Sequence, residues 1–247
     1  MSSVSVIVIT LNEAENIQDC LKSVEWADEI VVVDAESVDG TAELSREFTQ
    51  KVYVREWQGF SAAKNFALQN CTCEWVLWLD ADERVTPELK AEMQQTVQSP
   101  KHVGYEMPRL ANFLGRWIRH SGWYPGHVLR LFRRDTGSFN DALVHEGVAL
   151  NGSVGRLQAD LLHYTDRTLE HYFKKFNHYT SLAADQLHEQ NRTFRWHALL
   201  LRPPFMFFRM YILKRGFLDG LQGFMLALLS ACYVFAKYAK LWERSLR

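Results

Sequence analysis

Three short apolar segments in the first third of the chain are each followed directly by side chains that accept hydrogen bonds or bind cations. In open α/β sheets, ligands bind at the carboxyl ends of the strands. We therefore expect the polar residues after these segments to form one ligand-binding edge. They are Thr10, Asn12 and Glu13 after the first segment, Asp34, Glu36, Ser37, Asp39 and Thr41 after the second, and Asp80, Asp82 and Glu83 after the third.

The sequence Asp80-Ala81-Asp82 has the spacing of a divalent-cation site. It ends the apolar run Trp75–Leu79, which is typical of a strand buried on both faces. Alternate residues leaving such a strand can offer two carboxylates to one hard ion. Mg²⁺ or Mn²⁺ would keep its remaining positions for water and a diphosphate. An isolated Asp-x-Asp is usually a solvated turn, so the buried strand before it is what indicates a metal site.

The loops after the strands contain no glycine-rich phosphate-binding motif. Neither G-x-G-x-x-G after the first strand nor G-x-x-x-x-G-K-[ST] occurs, which argues against dinucleotide-binding and P-loop proteins. A nucleotidyl transferase would need a glycine-rich basic loop in place of Thr10–Glu13. A phosphatase with an aspartyl nucleophile would need its Asp-x-Asp after the first strand. The formal net charge is −1 and no basic stripe is visible, so we expect no nucleic-acid partner.

Apolar periodicity identifies the elements that carry these loops. Strand-like and helix-like segments alternate to about residue 97, which predicts an α/β fold with a mostly parallel sheet covered on both faces. The rhythm ends after residue 100, where short strands and then a polar helix follow. The predicted strands are Val4–Ile9, Ile30–Val33, Val52–Val54, Trp75–Leu79 and Val128–Phe132; the predicted helices are Ala14–Val24 with Asn12 as cap, Thr41–Phe48, Phe60–Gln69, one opened by Thr86-Pro87, and Thr168–Gln190.

Charge is distributed unevenly between the front and the tail of the chain. Residues 1–100 hold 7 Lys and Arg against 18 Asp and Glu, whereas residues 196–247 hold 8 against 2. This basic, aromatic tail suggests contact with an anionic membrane surface. Its candidate headgroup contacts are Arg202, Arg209, Lys214, Arg215, Lys237 and Lys240. We expect a domain over residues 1–167 and a helical, membrane-associating region over residues 168–247.

The uncharged run Phe224–Ala236 is too short to cross a hydrocarbon core of about 30 Å, and Asp219 and Gln222 stop it extending backwards. We expect Pro203-Pro204 and Gly216–Gly223 to break the tail into short interfacial helices. A buried core helix and an oligomer contact are the alternatives for this segment.

The four cysteines show neither disulfide nor zinc spacing, so we interpret Cys20, Cys71, Cys73 and Cys232 as reduced thiols. The chain starts directly with a predicted strand rather than a leader. We therefore expect the catalytic part at the cytoplasmic face of the inner membrane, attached peripherally.

Several motifs together resemble family 2 glycosyltransferases with the Rossmann-like GT-A fold. The motifs are Val6-Ile-Val-Ile-Thr10-Leu-Asn-Glu13, Ile30-Val-Val-Val-Asp34 with Ser37-Val-Asp39-Gly-Thr41, Lys64-Asn65, and Leu79-Asp-Ala-Asp-Glu83. Further motifs resemble the lipopolysaccharide-core β-1,4-glucosyltransferase group within that family. These are Trp26-Ala-Asp-Glu-Ile-Val31, Trp57-Gln-Gly-Phe60, Arg130-Leu-Phe-Arg133 and Val144-His-Glu146. Ala35 departs from the family, in which many members carry a second aspartate after Asp34.

The resemblance implies an inverting, metal-dependent transfer of a hexose, with glucose from UDP-glucose favoured, to a glycolipid or lipopolysaccharide-core acceptor. The implied donor-binding residues are Thr10, Asn12, Glu13, Asp34, Asp39, Lys64, Asp80, Arg130 and Arg133, and the implied metal ligands are Asp82, Asp80 and His163. We expect Arg130 and Arg133 to lie on one strand face and to meet phosphate. Asp39 could instead be a turn or cap residue, Lys64 a solvated lysine, and His163 a hydrogen-bonded histidine.

An inverting transfer needs a base that removes the proton of the attacking hydroxyl. We assign this role to Glu146 and hold Asp141 in reserve; a loop ion pair is the alternative for Glu146. Trp123 and Tyr124 could stack on a sugar or simply pack. The competing functions are a polyprenyl-phosphate sugar transferase and a non-catalytic, membrane-associated domain that binds nucleotide sugars.

Overall fold

A computed structural model describes residues 2–139, 148–190 and 192–246. The chain forms two compact units. The first comprises Met1–Arg109 and Gly126–His163, and the second comprises Leu110–Pro125 and Tyr164–Arg247. The strands are β1 Val4–Thr10, β2 Glu29–Asp34, β3 Val52–Val54, β4 Trp75–Asp80, β5 Glu83–Val85, β6 Gly104–Phe113, β7 Arg116–Ile118, β8 Gly126–Arg133, β9 Gly137–Phe139, β10 Val148–Leu150, β11 Val154–Arg156 and β12 Leu161–Asp166.

The first unit is built on parallel strands, as the alternation predicts. β1 pairs in parallel with β2 and β4, and β2 with β3. The register puts Thr10 opposite Asp34, so two of the predicted strand ends meet at one edge. The helices of this unit are α1 Ala14–Lys22, α2 Thr41–Arg46, α3 Phe60–Gln69 and α4 Pro87–Gln98, the last begun by the predicted Thr86 cap.

The sheet is mixed beyond β4. Its hydrogen-bonded order is β3-β2-β1-β4-β8-β6-β12-β5, and the β4–β8, β6–β8 and β5–β12 pairs are antiparallel. β7 and β11 also pair with β6, while β9 and β10 form a separate two-stranded sheet. Apolar clusters lie on both faces of the parallel strands, one containing Val6, Val8 and Leu77 and the other Ile7 and Val76. This burial explains why these strands are almost continuously apolar.

Helices dominate the second unit. They are α5 Leu169–Glu189, α6 Trp196–Phe208 and α7 Gly220–Arg244, with a π-helical turn at Arg209–Leu213 and a 3₁₀ turn at Gly216–Asp219. Pro203 and Pro204 lie inside α6, so the prediction that they break the chain is wrong. The break falls instead at Arg209–Asp219, and it includes Gly216 as expected.

The length argument against a membrane span is also wrong, because α7 has 25 residues rather than the uncharged 13 of Phe224–Ala236. By length and composition, the helical stretch Gly216–Arg244 is sufficient to cross a membrane. One side of α7 is buried, with Leu226, Ala227 and Val234 in apolar clusters of this unit.

The second unit exposes many large apolar side chains. Those more than two-fifths exposed between residues 196 and 246 are Trp196, Leu200, Leu201, Phe205, Phe208, Ile212, Leu213, Phe217, Leu218, Leu221, Leu228, Phe235, Trp242 and Leu246. A water-soluble monomer rarely shows so much contiguous apolar surface, which is the usual mark of a membrane or protein interface.

Candidate active site

The loops after β1 and β2 are tied together by hydrogen bonds. The Asn12 amide donates to Ser37 Oγ at 2.8 Å, and Asn12 Oδ1 accepts from the Val38 amide at 3.0 Å. The Glu13 amide donates to Thr41 Oγ1 at 2.9 Å. These bonds hold both loops at the carboxyl ends of the parallel strands.

Asn12 does not cap α1, contrary to the sequence prediction. Glu13 occupies the cap position, and its side chain accepts from Asn16 Nδ2 rather than from a helix amide. Asn12 takes φ 53°, a left-handed conformation that asparagine tolerates better than most residues. The first amide of the helix, on Ala14, instead donates to Asp39 Oδ2 at 3.0 Å. The Asp39 carboxylate also accepts from the amide and hydroxyl of Thr41, while the cap position of α2 itself is Gly40. Burial opposes ionisation of Asp39, but the bonds from Thr41 and Ala14 lower its pKa.

Two buried polar groups stand at the ends of β1 and β2. Thr10 is 3% exposed, and its Oγ1 has no hydrogen-bond partner among the described residues. Asp34 is fully buried and accepts from the Ser37 amide at 2.8 Å and from Ser37 Oγ at 2.6 Å. Buried polar atoms are normally paired, so a free hydroxyl here fits a ligand-binding position.

A buried arginine binds two of the three carboxylates that follow β4. Arg130 Nη2 donates at 2.6 Å both to Asp80 Oδ2 and to Glu83 Oε1. Glu83 is fully buried, and its Oε2 also accepts from the Asp80 amide at 3.1 Å. Arg109 adds a second cation, 3.6 Å from Glu83 Oε1. Glu83 belongs to the predicted motif without an assigned role, and no sequence signal identifies Arg109.

The two carboxyls bound by Arg130 respond differently to that environment. Desolvation opposes the ionisation of Asp80, yet Arg130, Lys64 and His163 outweigh it and lower the pKa of Asp80. Burial dominates at Glu83 and, with the negative charge of Asp80, raises the pKa of Glu83 despite Arg130. Arg130 itself has a raised pKa, because Glu83 and Asp80 outweigh the effect of its burial.

Arg130 reaches the carboxylates from an irregular point of β8. Leu131 pairs with Tyr105 and Leu129 with Glu106, so Arg130 is an extra residue in a β-bulge. Bulges often re-aim a side chain beside a site. Arg133, three positions on, is paired with Asp135, and both of these side chains are more than a third exposed. The prediction that Arg130 and Arg133 share a face is therefore wrong, because an odd spacing along a strand reverses the side.

Aromatic rings complete this part of the site. The Arg130 guanidinium lies 3.4 Å from the centre of the Trp78 ring, and Lys64 Nζ lies 4.1 Å from it. Lys64 is 4% exposed, so it is not the solvated lysine of the alternative reading. Both cations thus lie at the end of β4, where Trp78 is held by its Nε1 bond to the Leu129 carbonyl at 2.8 Å.

Asp82 and His163 form a separate pair. His163 Nε2 lies 3.2 Å from Asp82 Oδ2, since the β5–β12 register puts His163 opposite Glu83. One carboxylate and one imidazole fit two positions of a divalent ion, and nucleotide phosphates and water could supply the others. Asp80 faces Arg130 instead, and within the described ranges no three acidic, histidine or cysteine side chains form a metal-binding group. The residues present therefore fit a metal held through Asp82 and His163.

Glu146 and Asp141, the predicted bases, lie outside the described residues. Sequence reasoning also missed a small depression of about 20 Å³ beside the ends of β1 and β2. Arg55, Trp57 and Ala35 contribute to its wall, so the departure at Ala35 leaves space where another side chain would stand.

Comparison with known proteins shows which family has this sequence and fold. The sequence family described as "Glycosyl transferase family 2" matches residues 5–148, which is more than half of the chain. The chain belongs to glycosyl transferase family 2. The glycosyltransferase is 33% identical over 253 residues to the lipopolysaccharide core biosynthesis glycosyltransferase LpsC of Rhizobium meliloti (strain 1021), covering 97% of this chain and 92% of the relative.

Solved structures share the fold of this glycosyltransferase. The mannosyltransferase PcManGT from Pyrobaculum calidifontis, in complex with GDP-Man and Mn²⁺, has a TM-score of 0.57 at 16% identity, over 98% of this chain and 87% of that one. Residues 1–349 of S. aureus TarS, in complex with UDP-GlcNAc, have a TM-score of 0.51 at 15% identity, over 98% of this chain and 92% of that one. These likenesses confirm the GT-A fold, while the family match and the relationship to LpsC confirm a transferase enzyme.

Proposed function

We propose that this enzyme transfers glucose from UDP-glucose to a lipopolysaccharide-core glycolipid, with inversion to a β-linkage and with Mg²⁺ or Mn²⁺ as cofactor. The observation that carries the proposal is the pairing of carboxylates after β4. Arg130 binds Asp80 and Glu83, whereas Asp82 lies against His163. The relationship to LpsC supports the acceptor class.

The donor would lie along the ends of β1, β2 and β4. In this proposal the Thr10 hydroxyl and the carboxylates of Glu13, Asp34 and Asp39 bind the nucleoside. Asn12 shapes their loop, because its amide and side chain join the loops after β1 and β2. A nucleotide that displaces Ser37 from Asp34 would gain a buried, charge-assisted hydrogen bond.

The diphosphate needs positive charge at the end of β4. We propose that Lys64 and Arg130 supply it; Arg133 pairs with Trp75 at the opposite end of β4, so the predicted phosphate contact of Arg133 is not part of this proposal. The buried Nε of Arg130 has no hydrogen-bond partner in the described part of the chain and is therefore available to an oxygen ligand. Asp82 and His163 would hold the metal, with Asp80 beside them, and a bound metal would stabilise the negative charge of the departing diphosphate.

Inversion requires a base on the acceptor side of the sugar. We propose Glu146 for this role, with Asp141 in reserve, on the basis of the Val144-His-Glu146 motif. A carboxylate suffices because the acceptor proton leaves only as the new bond forms, and such a base contributes about 10²–10⁴-fold. Glu146→Gln should accordingly reduce kcat by about that factor and leave UDP affinity unchanged.

We also propose peripheral attachment of the enzyme to the cytoplasmic face of the membrane. The exposed apolar side chains of the second unit and its basic tail support this, because a glycolipid acceptor resides in the bilayer. A polyprenyl phosphate is the alternative acceptor class, which direct comparison of the two lipids would distinguish.

Calorimetric titration of UDP, with and without Mn²⁺, tests the donor site. The wild type should bind UDP more tightly with Mn²⁺, and Asp82→Ala should abolish the metal-dependent gain. Glu88→Ala is the matched control, since it removes an exposed carboxylate at the start of α4. A Mn²⁺ titration monitored by electron paramagnetic resonance measures metal binding independently of enzymatic activity.

Absence of UDP binding under every metal condition would refute the UDP-sugar proposal. An equal loss of the metal-dependent gain in UDP affinity in Asp82→Ala and Glu88→Ala would refute the role of Asp82 as a metal ligand. If UDP binds as expected, a panel of UDP-glucose, UDP-GlcNAc and GDP-mannose then identifies the sugar, and the anomeric proton coupling of the product reports its configuration.

A further inference from the structure

The second unit contains a cavity of about 550 Å³ that the donor site does not use. This volume lies within the range of small-molecule sites. All of its lining residues belong to the second unit. They include three cations, Arg209, Lys214 and Lys237, and three aromatic residues, Trp123, Tyr172 and Tyr233.

The three cations give the cavity a concentrated positive charge. The cavity lining includes no aspartate or glutamate, and within the described chain Arg209, Lys214 and Lys237 form no ion pair. Arg209 and Lys214 are exposed and Lys237 is half-buried, so water screens part of the repulsion between these like charges, and an anion in the cavity would relieve the rest.

The wall of the cavity also carries a buried hydroxyl. Ser121 is 3% exposed, and its Oγ has no hydrogen-bond partner among the described residues. Its amide donates to the Lys214 carbonyl at 2.9 Å, which fixes the serine beside one of the cations. A buried hydroxyl without a partner is uncommon and fits a polar ligand.

Hydrogen bonds to a buried carboxylate hold this wall in place. The amides of Arg119 and His120 donate to Asp219 at 3.2 and 2.9 Å, and His120 Nδ1 lies 2.9 Å from the same carboxylate. Gly216 packs so closely that a Cβ there would lie 2.6 Å from Ser121 Oγ. The wall is therefore organised before any ligand arrives, which lowers the cost of binding.

We propose that this cavity is a binding site for a phosphate group carried on a sugar or glycerol headgroup. The phosphate would contact Lys214, Lys237 and Ser121 Oγ, and the aromatic rings would cover the apolar face of the headgroup. This is a defined pocket rather than a diffuse attraction between a basic surface and lipid. It is independent of the donor site, because every residue that lines it lies outside the first unit.

The test uses the full-length enzyme and two probes that share the phosphate. Glucose 6-phosphate, with glucose as its neutral control, is titrated by calorimetry. Phosphatidylglycerol in phosphatidylcholine vesicles, with pure phosphatidylcholine as control, is assayed by co-flotation. Binding to glucose 6-phosphate identifies a soluble phosphorylated sugar, and binding only to phosphatidylglycerol vesicles identifies a lipid headgroup; either supports the site.

Four variants separate the pocket from the general charge of the surface. Lys214→Gln and Lys237→Gln should each weaken phosphate-dependent binding by about tenfold, and Ser121→Ala by about threefold. Arg215→Gln is the matched control, because it removes the same charge from the next residue, which does not line the cavity. It should change binding by less than about twofold, because Lys214 and Arg215 are both exposed and only Lys214 lines the cavity.

Two results would overturn the proposal: no phosphate-dependent binding of either probe, or equal loss in Arg215→Gln and Lys214→Gln. Thermal unfolding of each variant followed by circular dichroism serves as the folding control, and titration of UDP reports separately on the proposed donor residues, which lie in the first unit. If UDP fails to bind even to the wild type, the donor proposal fails while the phosphate measurements remain interpretable.

Discussion

Replacing Arg130 by methionine tests the electrostatic centre of the donor site. The guanidinium is 2% exposed, and one nitrogen binds both Asp80 and Glu83 at 2.6 Å. Methionine keeps an unbranched chain over the Trp78 ring but removes the charge. Breaking a buried ion pair by removing one partner costs about 3–5 kcal/mol, because the remaining charge is left without compensation. For a chain of this size that loss lowers the melting temperature by roughly 6–20 °C.

The loss should depend on pH. Without Arg130, burial and the charge of Asp80 raise the pKa of Glu83 further above its ordinary value. A carboxyl with a raised folded-state pKa binds its proton more tightly when folded, so stability falls as the pH rises through that pKa. Asp80 also loses the cation that lowers its pKa. This removes a stabilisation of the folded state that is present only above the ordinary pKa of an aspartate. The effect at Glu83 makes the deficit larger at about pH 8 than at about pH 5, whereas the loss at Asp80 is nearly the same at both pH values, because both lie above the ordinary pKa of Asp80.

Thermal unfolding followed by circular dichroism, at both pH values, measures this deficit. Arg133→Met is the matched control, because it removes an arginine from the same strand whose partner Asp135 is exposed, and it should change the melting temperature little. Glu83→Gln in the Arg130→Met background should restore much of the stability. The reasoning is refuted if Arg130→Met is no more destabilising than Arg133→Met, or if the deficit does not shrink in acid.

Two further predictions concern the edge of the first unit and the tail. Although burial opposes ionisation of Glu29, hydrogen bonds from Lys51, Ser5 and Thr72 lower its pKa from 4.5 to about 2. Glu29 should therefore contribute about 2 kcal/mol to the free energy of unfolding, fully above its ordinary pKa and progressively less as the pH falls from about 4.5 to about 2. Urea titrations of Glu29→Gln and of the exposed control Glu25→Gln measure this contribution. On cell fractionation the enzyme should be recovered with the membranes, and alkaline carbonate should release it from them. Recovery in the soluble fraction would contradict membrane attachment, and release by detergent alone would show that α7 spans the membrane.

Much of the first unit could be predicted from sequence because its strands are buried on both faces. An almost unbroken apolar run such as Val6–Ile9 or Leu77–Leu79 marks both the strand and the point where it ends, and the chemistry follows that point. Thr10, Asp34 and Asp82 were predicted as site residues in this way. His163 was predicted through the resemblance, and it lies 3.2 Å from Asp82, with the β5–β12 register pairing it with Glu83.

The arginine network could not be predicted in the same way. Arg130 follows Glu83 by 47 residues, and the contact depends on an antiparallel strand with a bulge at that residue. Periodicity along β8 gives no indication of a bulge; the misplacement of Arg133 has a different cause, its odd spacing from Arg130, which reverses the side even in a regular strand. In the tail, Pro203 and Pro204 predict a break, yet packing against α7 maintains the helix through both. Tertiary contacts determined both outcomes, and a single sequence does not display them.

The ion pairs at the end of β4 also explain which aspartate should hold a metal. Three carboxylates follow this strand, and a site that keeps all three charged without cations would repel the diphosphate of a donor. Arg130 and Arg109 together offset the charges of Asp80 and Glu83 with guanidinium charges that cannot be titrated away. Among the described residues Asp82 is paired with His163, and a histidine can bind a metal as the neutral imidazole. A divalent ion therefore displaces no buried ion pair at Asp82, whereas at Asp80 it would compete with Arg130. On this argument Asp82→Ala should eliminate the metal dependence of UDP binding, and Asp80→Ala should act mainly on the stability of the Arg130 network.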